Sequence, residues 1–372
     1  MILLIIALVL APMLMALVGT ALAKRLALRL GMLDAPGERK VHVRTTPRNG
    51  GIAIFWAIAI PVGLGLLMMP WIQSHRFFGL LPQHAVTLMR LEHVSLPLTW
   101  LLLACTLAMH LLGLLDDRLA LGALPKLIGQ LAIATALVVI GEKLKPGGFR
   151  ILTVLDGKIT GGYFISCALT VAWLTVLTNA FNFLDNMDGL AAGVAVICSL
   201  MFVIAAAHNA QWLVCAILLV YIGAILGFLW HNFPPASIFM GDGGSMVLGF
   251  LLAALTIRTT YFSPPEPWYG IFTPLLICAV PLYDFCTVIA IRMRRGRNPM
   301  KGDTNHFSHR LTRHGFSNKA AVLIIYAITL ATGLSAPLLV RADAVGAALI
   351  ALQAGSLLLV IHLLERVGEH IQ

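Results

Sequence analysis

The sequence has few charged residues, and this excludes an ordinary soluble protein. Asp, Glu, Lys and Arg make up 11% of the 372 residues, whereas hydrophobic residues make up 59%. Soluble domains carry about 25% charged residues, which cover their surface in water. A chain so poor in charge is predicted to be surrounded by lipid.

Cysteine is also scarce, and it is poorly placed for chemistry. The six cysteines all lie inside apolar stretches, and no two of them form a CxxC pair. The pattern favours neither a zinc site nor a disulfide framework. Cysteines that pack as small buried apolar side chains are the simpler interpretation.

Long apolar stretches are what the sequence has in abundance. A membrane-spanning helix needs about 20 predominantly apolar residues, and eleven stretches approach or reach that length. They predict an all-α fold, a polytopic integral membrane bundle of about eleven transmembrane helices that forms a single domain over residues 1–372. The stretches lie at 3–23, 50–69, 96–115, 126–141, 162–180, 188–207, 211–230, 244–260, 270–291, 319–338 and 343–364.

The first stretch imitates a signal peptide, because Ala21-Leu22-Ala23 resembles a cleavage site. No positive charge precedes the stretch, however, and it is longer than the usual apolar region of about 7–15 residues. We therefore expect it to be retained as a membrane helix.

Basic residues predict the orientation in the membrane. Seven Lys and Arg lie between Lys24 and Arg48, and eight lie between Arg292 and Lys319. Such residues concentrate in cytoplasmic loops, so the N-terminus is predicted outside and the C-terminus in the cytoplasm. Nucleic-acid binding is not predicted, since the basic residues are divided between short loops.

Residues 147–161 are predicted to form a small external β-hairpin. Gly147-Gly148 opens this segment, residues 149–154 alternate in polarity, and Asp156-Gly157 supplies a turn. Alternation bounded by such glycine pairs is typical of hairpins.

Acidic residues gather at predicted cytoplasmic helix ends. A charge at the centre of a membrane helix costs about 2.5–3.5 kcal/mol, and helix ends are less costly, so solvated polar ends are the simpler alternative for any one acid. Adjacent carboxylates, however, repel unless they share a proton or a cation. Six of the 16 acidic residues lie in four short segments: Asp116, Asp117, Asp185, Asp188, Asp242 and Asp303.

Oxygen-bearing side chains recur every three residues between Asn179 and Gly189. If the segment is helical, Asn182, Asp185 and Asp188 share a face. Oxygen ligands suit Mg²⁺, which keeps several waters and bridges to substrate phosphates. Asp242, inside Gly241-Asp242-Gly243-Gly244-Ser245, adds a further oxygen ligand, although an Asp or Ser helix cap is the alternative.

The second basic loop carries His306 and His309, three residues apart and followed by Arg310. Such a group can bind a pyrophosphate, and a solvated basic loop is the alternative. His42 in the first basic loop has the same two alternatives. Lys126 can bind a substrate or extend its ammonium to the interface between membrane and water. Asp284, inside the 270–291 stretch, could cap a kink near Pro281 or bind a basic partner, and the sequence does not decide between these roles.

Five motifs in order resemble the polyprenyl-phosphate N-acetylhexosamine-1-phosphate transferases, which start bacterial cell-envelope glycans. The resemblance covers nearly the whole chain and implies ten or eleven membrane helices. The motifs are Asp34-Ala35-Pro36 with Arg39 to His42 and Pro47 to Gly51, Gly113 to Asp117, Asn179 to Leu190, Phe239 to Ser245, and Asp303 to His309.

The resemblance implies a Mg²⁺-dependent enzyme, with Mn²⁺ as a substitute, in the bacterial inner membrane with its active site facing the cytoplasm. It implies transfer of a sugar 1-phosphate from a UDP-N-acetylhexosamine to undecaprenyl phosphate, which releases UMP. The implied metal ligands are Asn182 and Asp242, the implied catalytic residues are Asp116, Asp117, Asp185 and Asp188, and the expected substrate-binding residues are Lys126, Asn179, His42, His306, His309 and Arg310.

Several choices stay open within this resemblance. Ser308 stands where close relatives often carry a third histidine, and this shorter motif favours UDP-GlcNAc over UDP-MurNAc-pentapeptide as donor. Direct displacement with Asp116 or Asp117 as base competes with a covalent aspartyl-phosphate route. A transporter is the alternative from another class, although its acids would lie near the midplane with related repeats. A homodimer is left open.

Overall fold

The computed structural model of the chain describes residues 2–30, 33–34, 45–74, 96–261, 267–300 and 302–367, which are almost entirely helical. We number the α-helices in chain order. They are α1 (Ile2–Leu30), α2 (Gly50–Ser74), α3 (Leu96–Leu119), α4 (Ala123–Leu144), α5 (Gly162–Leu184), α6 (Leu190–His208), α7 (Trp212–Asn232), α8 (Asp242–Arg258), α9 (Thr273–Ile277), α10 (Ala279–Arg294), α11 (Phe307–Arg313), α12 (Asn318–Gly333) and α13 (Ala344–Val367).

Most of these helices are long enough to cross a membrane. Within the described residues nine helices qualify by length and composition, and a bent pair, Trp268–Ile277 with Ala279–Arg294, would make a tenth. Helix α8 has 17 residues and occupies the predicted 244–260 stretch. Each predicted apolar stretch therefore coincides with helix, and the chain is an all-α multi-pass membrane protein. The total of eleven spans and their sidedness stay predictions.

The outer helices expose apolar side chains, as expected where lipid is the solvent. In α1 and in α13, only 11% of the residues in the most apolar 18-residue stretch are buried, whereas the share in α6 is 72%. Exposed Leu and Ile would be unfavourable in water, whereas lipid tails are as apolar as they are. The core cluster extends from Ala16 to Ile361 and includes most of α6, α7 and α8.

The bent pair breaks at a proline. Pro281 has no N–H to donate to the carbonyl of Ile277, four residues earlier. The Cys198 thiol lies 3.3 Å from that carbonyl oxygen and donates to it. The axes of the two helical segments meet at 69°.

Helix α8 begins in close contact with α2 and α3. A Cβ added at Gly51 would lie 2.3 Å from the Gly244 nitrogen, and one at Gly113 would lie 2.5 Å from the Asp242 carbonyl oxygen. Real Cβ atoms do not approach backbone so closely, so glycine is required at both positions. The two glycines bring three helices together at the Gly241–Ser245 motif.

A short antiparallel pair, which the sequence did not predict, lies at the same end of the bundle. Strand β1 (Leu33–Asp34) pairs with strand β2 (Thr46–Pro47). After β2 the chain runs beside Phe239, whose N–H donates to the Pro47 carbonyl at 2.8 Å. This pairing places the next residue, Arg48, beside the start of α8.

The external β-hairpin predicted at 147–161 is wrong. The segment forms turns and a short 3₁₀ helix, Thr153–Leu155. Its alternating polarity does not become alternating burial, because Phe149 and Arg150 are both buried.

A buried guanidinium shapes this segment instead. Arg150 forms ion pairs with Glu142 at 2.9 Å and Asp156 at 2.6 Å, so the chain folds around it. The Ile151 N–H donates to the Thr170 hydroxyl at 3.0 Å. Backbone that a strand ladder would use is therefore bonded to side chains of α5.

Candidate active site

Four helix ends converge at one end of the bundle. The C-termini of α3 and α5 meet the N-termini of α4 and α8, and they carry Asp116, Asn182, Lys126 and Asp242. Helix ends leave backbone groups and polar side chains free to bind one another. These contacts gather four of the predicted site residues into one cluster.

Asp117 holds the start of α8. Its two carboxylate oxygens accept the N–H groups of Asp242 at 2.9 Å and Gly243 at 3.0 Å. The helix cap, Gly241, has φ +73° and provides no side-chain bond, so Asp117 supplies the cap from another helix, where a negative charge is favourable. Self-capping by Asp242 or Ser245 does not occur.

Arg48 completes the surroundings of Asp117. Its Nη2 lies 2.8 Å from Asp117 Oδ1 and 3.6 Å from Asp242 Oδ1. The Asp117 carboxylate is 4% exposed and has both oxygens bonded. It is therefore a structural centre of the site.

The Lys126 ammonium lies at the middle of the cluster. Its Nζ donates to Asn182 Oδ1 at 2.9 Å, lies 3.1 Å from Asp116 Oδ2, and contacts Asp242 Oδ2. The Asn182 amide donates to Asp242 Oδ1 at 3.0 Å and to the Ser245 hydroxyl at 2.8 Å. This fixes the amide so that its carbonyl oxygen faces the cation.

Asp185 differs from the other acids because its carboxylate forms no hydrogen bond or ion pair with the residues that the structure describes. Burial raises the pKa of Asp185 to about 7, and the negative charges of Asp242, Asp117 and Asp188 act in the same direction, although the positive charge of Arg48 opposes them. The carboxyl group therefore titrates near neutral pH.

Asp188 and Asn179 lie around the cluster and support it. Asp188 Oδ2 accepts the N–H of Ala236 at 2.9 Å, which anchors the loop before α8. The Asn179 amide donates to Gln130 Oε1 at 2.6 Å and so joins α5 to α4, one helical turn from Lys126. No contact of Asn179 with the described carboxylates is present.

The histidine motif packs against this cluster through α11. His306 Nδ1 lies 2.9 Å from Asp284 Oδ2, and Asp284 Oδ1 accepts the N–H of Phe307 at 2.6 Å. The His306 ring meets the Phe183 ring edge-on at 5.6 Å. Since Phe183 follows Asn182, the motif lies beside the metal-ligand candidates.

Ser308 and His309 follow in the same motif, and the first is buried whereas the second is half-buried. Ser308 is buried and donates to Asn186 Oδ1, so it ties α11 to the loop after α5. Burial lowers the pKa of His309 to about 4, and the nearby His306 adds to this, so His309 is neutral at pH 7.

Arg310 is also turned inwards. Its guanidinium pairs with Glu365 of α13 at 2.9 Å and donates to Thr287 at 3.2 Å and to the Asn305 carbonyl. The two Nη groups are therefore bonded inside the bundle, whereas Nε forms no hydrogen bond with the described residues. The contact between Arg310 and a substrate stays a prediction.

Sequence similarity to known proteins identifies the family of the chain. The model of a family described as Glycosyl transferase family 4 matches residues 99–260. A "probable undecaprenyl-phosphate N-acetylglucosaminyl 1-phosphate transferase" of Bacillus subtilis (strain 168) is 33% identical over 325 residues, which are 87% of this chain and 82% of that protein. The chain belongs to glycosyl transferase family 4.

Two further relatives extend over a similar length. A decaprenyl-phosphate N-acetylglucosaminephosphotransferase of Mycolicibacterium smegmatis is 36% identical over 83% of this chain and 75% of that protein. An undecaprenyl-phosphate alpha-N-acetylglucosaminyl 1-phosphate transferase of Escherichia coli (strain K12) is 29% identical over 86% and 79%. The predicted family is confirmed, and the chain is an enzyme, a phosphotransferase of the membrane.

The cluster in this family 4 transferase fits Mg²⁺ in its chemistry. Asn182 Oδ1, Asp242 Oδ2 and Asp116 Oδ2 already face one cation, the Lys126 ammonium. Three protein oxygens leave room for the waters and phosphate oxygens that Mg²⁺ usually retains. The site also has an excess of negative charge, which a divalent cation would offset. The two basic side chains, Arg48 and Lys126, lie among five carboxylates, those of Asp116, Asp117, Asp185, Asp188 and Asp242.

Sequence reasoning missed three parts of the site in this family 4 transferase. Arg48 was predicted only as part of a motif and Asp117 was not expected to cap α8. Asp284 was expected either to cap a kink or to bind a basic partner, without His306 being identified as that partner. The signal for Asp284 was its charge inside an apolar stretch, since such residues are usually bonded and functional. The predicted substrate-binding residue His42 lies outside the described residues.

Proposed function

We propose that this family 4 transferase moves N-acetylglucosamine 1-phosphate from UDP-N-acetylglucosamine to undecaprenyl phosphate, or a similar polyprenyl phosphate, and releases UMP. One observation carries the proposal. At the cluster of helix ends, Asp116, Asn182 and Asp242 all direct an oxygen at the Lys126 ammonium. The names of the relatives support the sugar and the lipid class.

The position of the cluster suits these two substrates. The isoprenoid tail requires an apolar environment, whereas the nucleotide requires water, so their phosphates meet where the helices end. The basic loop between α10 and α12 belongs to the same end of the bundle, because α11 packs on the cluster. We place this end in the cytoplasm and the protein in the bacterial inner membrane, since basic loops stay inside.

Asn182 and Asp242 would hold the metal, Mg²⁺ or Mn²⁺, with Asp116 beside them. When bound, the ion would neutralise charge on the phosphoryl oxygens and stabilise the departing UMP. The protein itself contributes position: Asp117 and Arg48 fix the first turn of α8, so the Asp242 carboxylate points at the cation. Fixed charges of this kind need no rearrangement during the reaction.

We assign proton acceptance to Asp185 in a direct displacement. Both oxygens of Asp116 and of Asp117 are bonded inside the protein, whereas those of Asp185 are not bonded to the described residues. A carboxylate whose oxygens are not already bonded is available to accept the proton of the lipid phosphate.

The test is UMP release by the purified protein in detergent from UDP-GlcNAc and undecaprenyl phosphate. We expect release that requires both substrates, stops with EDTA and falls at least 100-fold in Asp242→Asn. The matched control is Asp343→Asn, because Asp343 caps α13 through Gly346 and its amide analogue can still accept that bond.

Three results would contradict the proposal. UMP release without the lipid would indicate hydrolysis rather than transfer. Product from UDP-MurNAc-pentapeptide but not from UDP-GlcNAc would replace the donor. A phosphorylated enzyme trapped in a single-turnover quench with labelled donor would replace direct displacement by a covalent route.

A further inference from the structure

Lys126 occupies the position that a metal ion is expected to take. Its ammonium is bounded by Asn182 Oδ1 at 2.9 Å, Asp116 Oδ2 at 3.1 Å and Asp242 Oδ2. The side chain is 13% exposed and begins in the first turn of α4, while its three partners come from α3, α5 and α8. It acts as a counter-ion for four converging helix ends.

A divalent cation and this ammonium exclude each other. Two positive charges on the same three oxygens would repel strongly at a few ångströms, and the site is partly shielded from water. Lysine has a flexible four-carbon stem with a point charge at its end, so it can move away while the oxygens stay fixed. The Asn182 amide supports this, because its hydrogen bonds to Asp242 and Ser245 already hold the carbonyl oxygen towards the cation.

We propose that Lys126 is a resident counter-ion that a divalent metal must displace from Asp116, Asn182 and Asp242. This inference rests on the proposed function for the presence of a divalent metal in the cluster. Its consequence is cooperative binding of metal and nucleotide, because the ammonium leaves the acids at less cost when another anion is present. Such coupling is reciprocal.

Arg48 provides the matched control. It carries the same charge and lies 3.6 Å from Asp242 Oδ1, but its nearest carboxylate is Asp117 at 2.8 Å. Removing Arg48 changes the electrostatic field at the cluster without vacating the space among the three oxygens. A general effect of charge removal would appear in both variants, whereas displacement would appear in Lys126 variants alone.

The experiment is a Mn²⁺ titration of the purified protein in detergent, followed by the electron paramagnetic resonance signal of free Mn²⁺. The wild type, Lys126→Met, Lys126→Gln and Arg48→Met are compared without nucleotide and with UDP, which carries a pyrophosphate but no sugar to transfer. Two Lys126 variants are used so that poor folding of one leaves the other.

Without UDP, both Lys126 variants are expected to bind Mn²⁺ at least tenfold tighter than the wild type and at least fivefold tighter than Arg48→Met. UDP is expected to strengthen Mn²⁺ binding at least fivefold more in the wild type than in the Lys126 variants, where only direct contact between metal and nucleotide remains.

Unchanged or weaker Mn²⁺ binding in the Lys126 variants would overturn the inference and leave Lys126 as a permanent ion-pair partner. So would equal gains in Lys126→Met and Arg48→Met. Failure of the proposed function gives a different result: no UMP is released by the wild type from any UDP-sugar, whatever the Mn²⁺ affinities are.

Discussion

At the scale of single residues, Asp185 offers a pH-dependent test. Its pKa in the folded protein is about 7, raised from 3.8, so the folded state binds the proton more tightly than the unfolded state. Stability due to this group is complete below about pH 4 and is lost as pH rises towards 7. We expect the loss to be about 2 kcal/mol, half of what the full difference in pKa between the folded and unfolded states would give, because the carboxyl group is only partly buried.

The measurement is thermal unfolding in EDTA at pH 5.5 and pH 8. The wild type should lose more stability across this range than Asp185→Asn, whose amide does not titrate. Parallel curves for the two proteins would mean that Asp185 is ionised throughout and would remove the support for its role as the proton acceptor.

The adjacent acids Asp116 and Asp117 should separate into different functions. Asp117→Ala leaves the Asp242 and Gly243 N–H groups without their acceptor and removes the carboxylate 2.8 Å from Arg48 Nη2. Charge-assisted hydrogen bonds contribute about 1.5–3 kcal/mol each. We expect it to lower both the melting temperature and the activity. Asp116→Ala should lower activity at least 100-fold with a smaller change in melting temperature.

Melting temperatures and UMP release of the purified variants decide this prediction. Equal destabilisation by the two alanine variants would contradict the assignment of Asp117 as the anchor of α8. Asp117→Asn is the conservative control, because an amide oxygen can still accept one of the two backbone N–H groups.

At the scale of helices, close contact between α2 and α8 makes one glycine essential and another dispensable. Gly51→Ala would place a methyl group 2.3 Å from the Gly244 nitrogen, which cannot move aside. In the same helix, no described atom outside the local helix backbone lies within 4 Å of a Cβ at Gly65. We expect Gly51→Ala to abolish activity and lower the melting temperature. Gly65→Ala should be neutral or stabilising by up to about 1 kcal/mol.

UMP release and thermal unfolding of the two alanine variants test this contact. An active Gly51→Ala protein would show that α2 and α8 lie further apart than the structure has them.

Asp284 should act by positioning α11. Asp284→Ala leaves the Phe307 N–H and His306 Nδ1 unbonded, so the start of α11 is expected to detach from α10. We predict a 10- to 100-fold loss of activity, mainly as a raised KM for the donor, together with faster tryptic cleavage at Arg313. Asp284→Asn, which keeps one acceptor, should partly restore the activity and the resistance to trypsin. Rapid cleavage of Asp284→Ala with a normal KM for the donor would exclude a role of Asp284 in donor binding.

The helices were predictable from the sequence because lipid leaves few alternatives: every backbone N–H and C=O must bond within its own segment, and a run of apolar residues then forms a helix. The segment 147–161 was not predictable, since local alternation was overridden by the ion pairs of Arg150. The Asp117 cap joins residues 125 positions apart, and the contacts of Lys126 with Asn182 and Asp242 join residues 56 and 116 positions apart. Spacing along the chain carries no information on such contacts, whereas residue type identified most of the acids.

At the scale of the whole molecule, the orientation in the membrane remains to be tested. The loop after α10 lies at the end of the bundle that holds the acid cluster, and the 147–161 segment lies between α4 and α5 at their other ends. If basic loops stay inside, a cysteine at 298 should be labelled only from the cytoplasm, and one at 158 only from outside.

Asn298→Cys and Lys158→Cys suit this measurement because both positions are exposed. Each would be made in a protein whose six native cysteines are replaced by serine or alanine, and a membrane-impermeant maleimide would be added to intact cells and to inverted vesicles. The proposed function requires that position 298 be labelled only from the cytoplasm, since UDP-sugars are cytoplasmic substrates in this scheme. Labelling of position 298 in intact cells would place the acid cluster outside, where no nucleotide-sugar donor would reach it, and would contradict the proposed reaction even if the purified protein bound Mn²⁺.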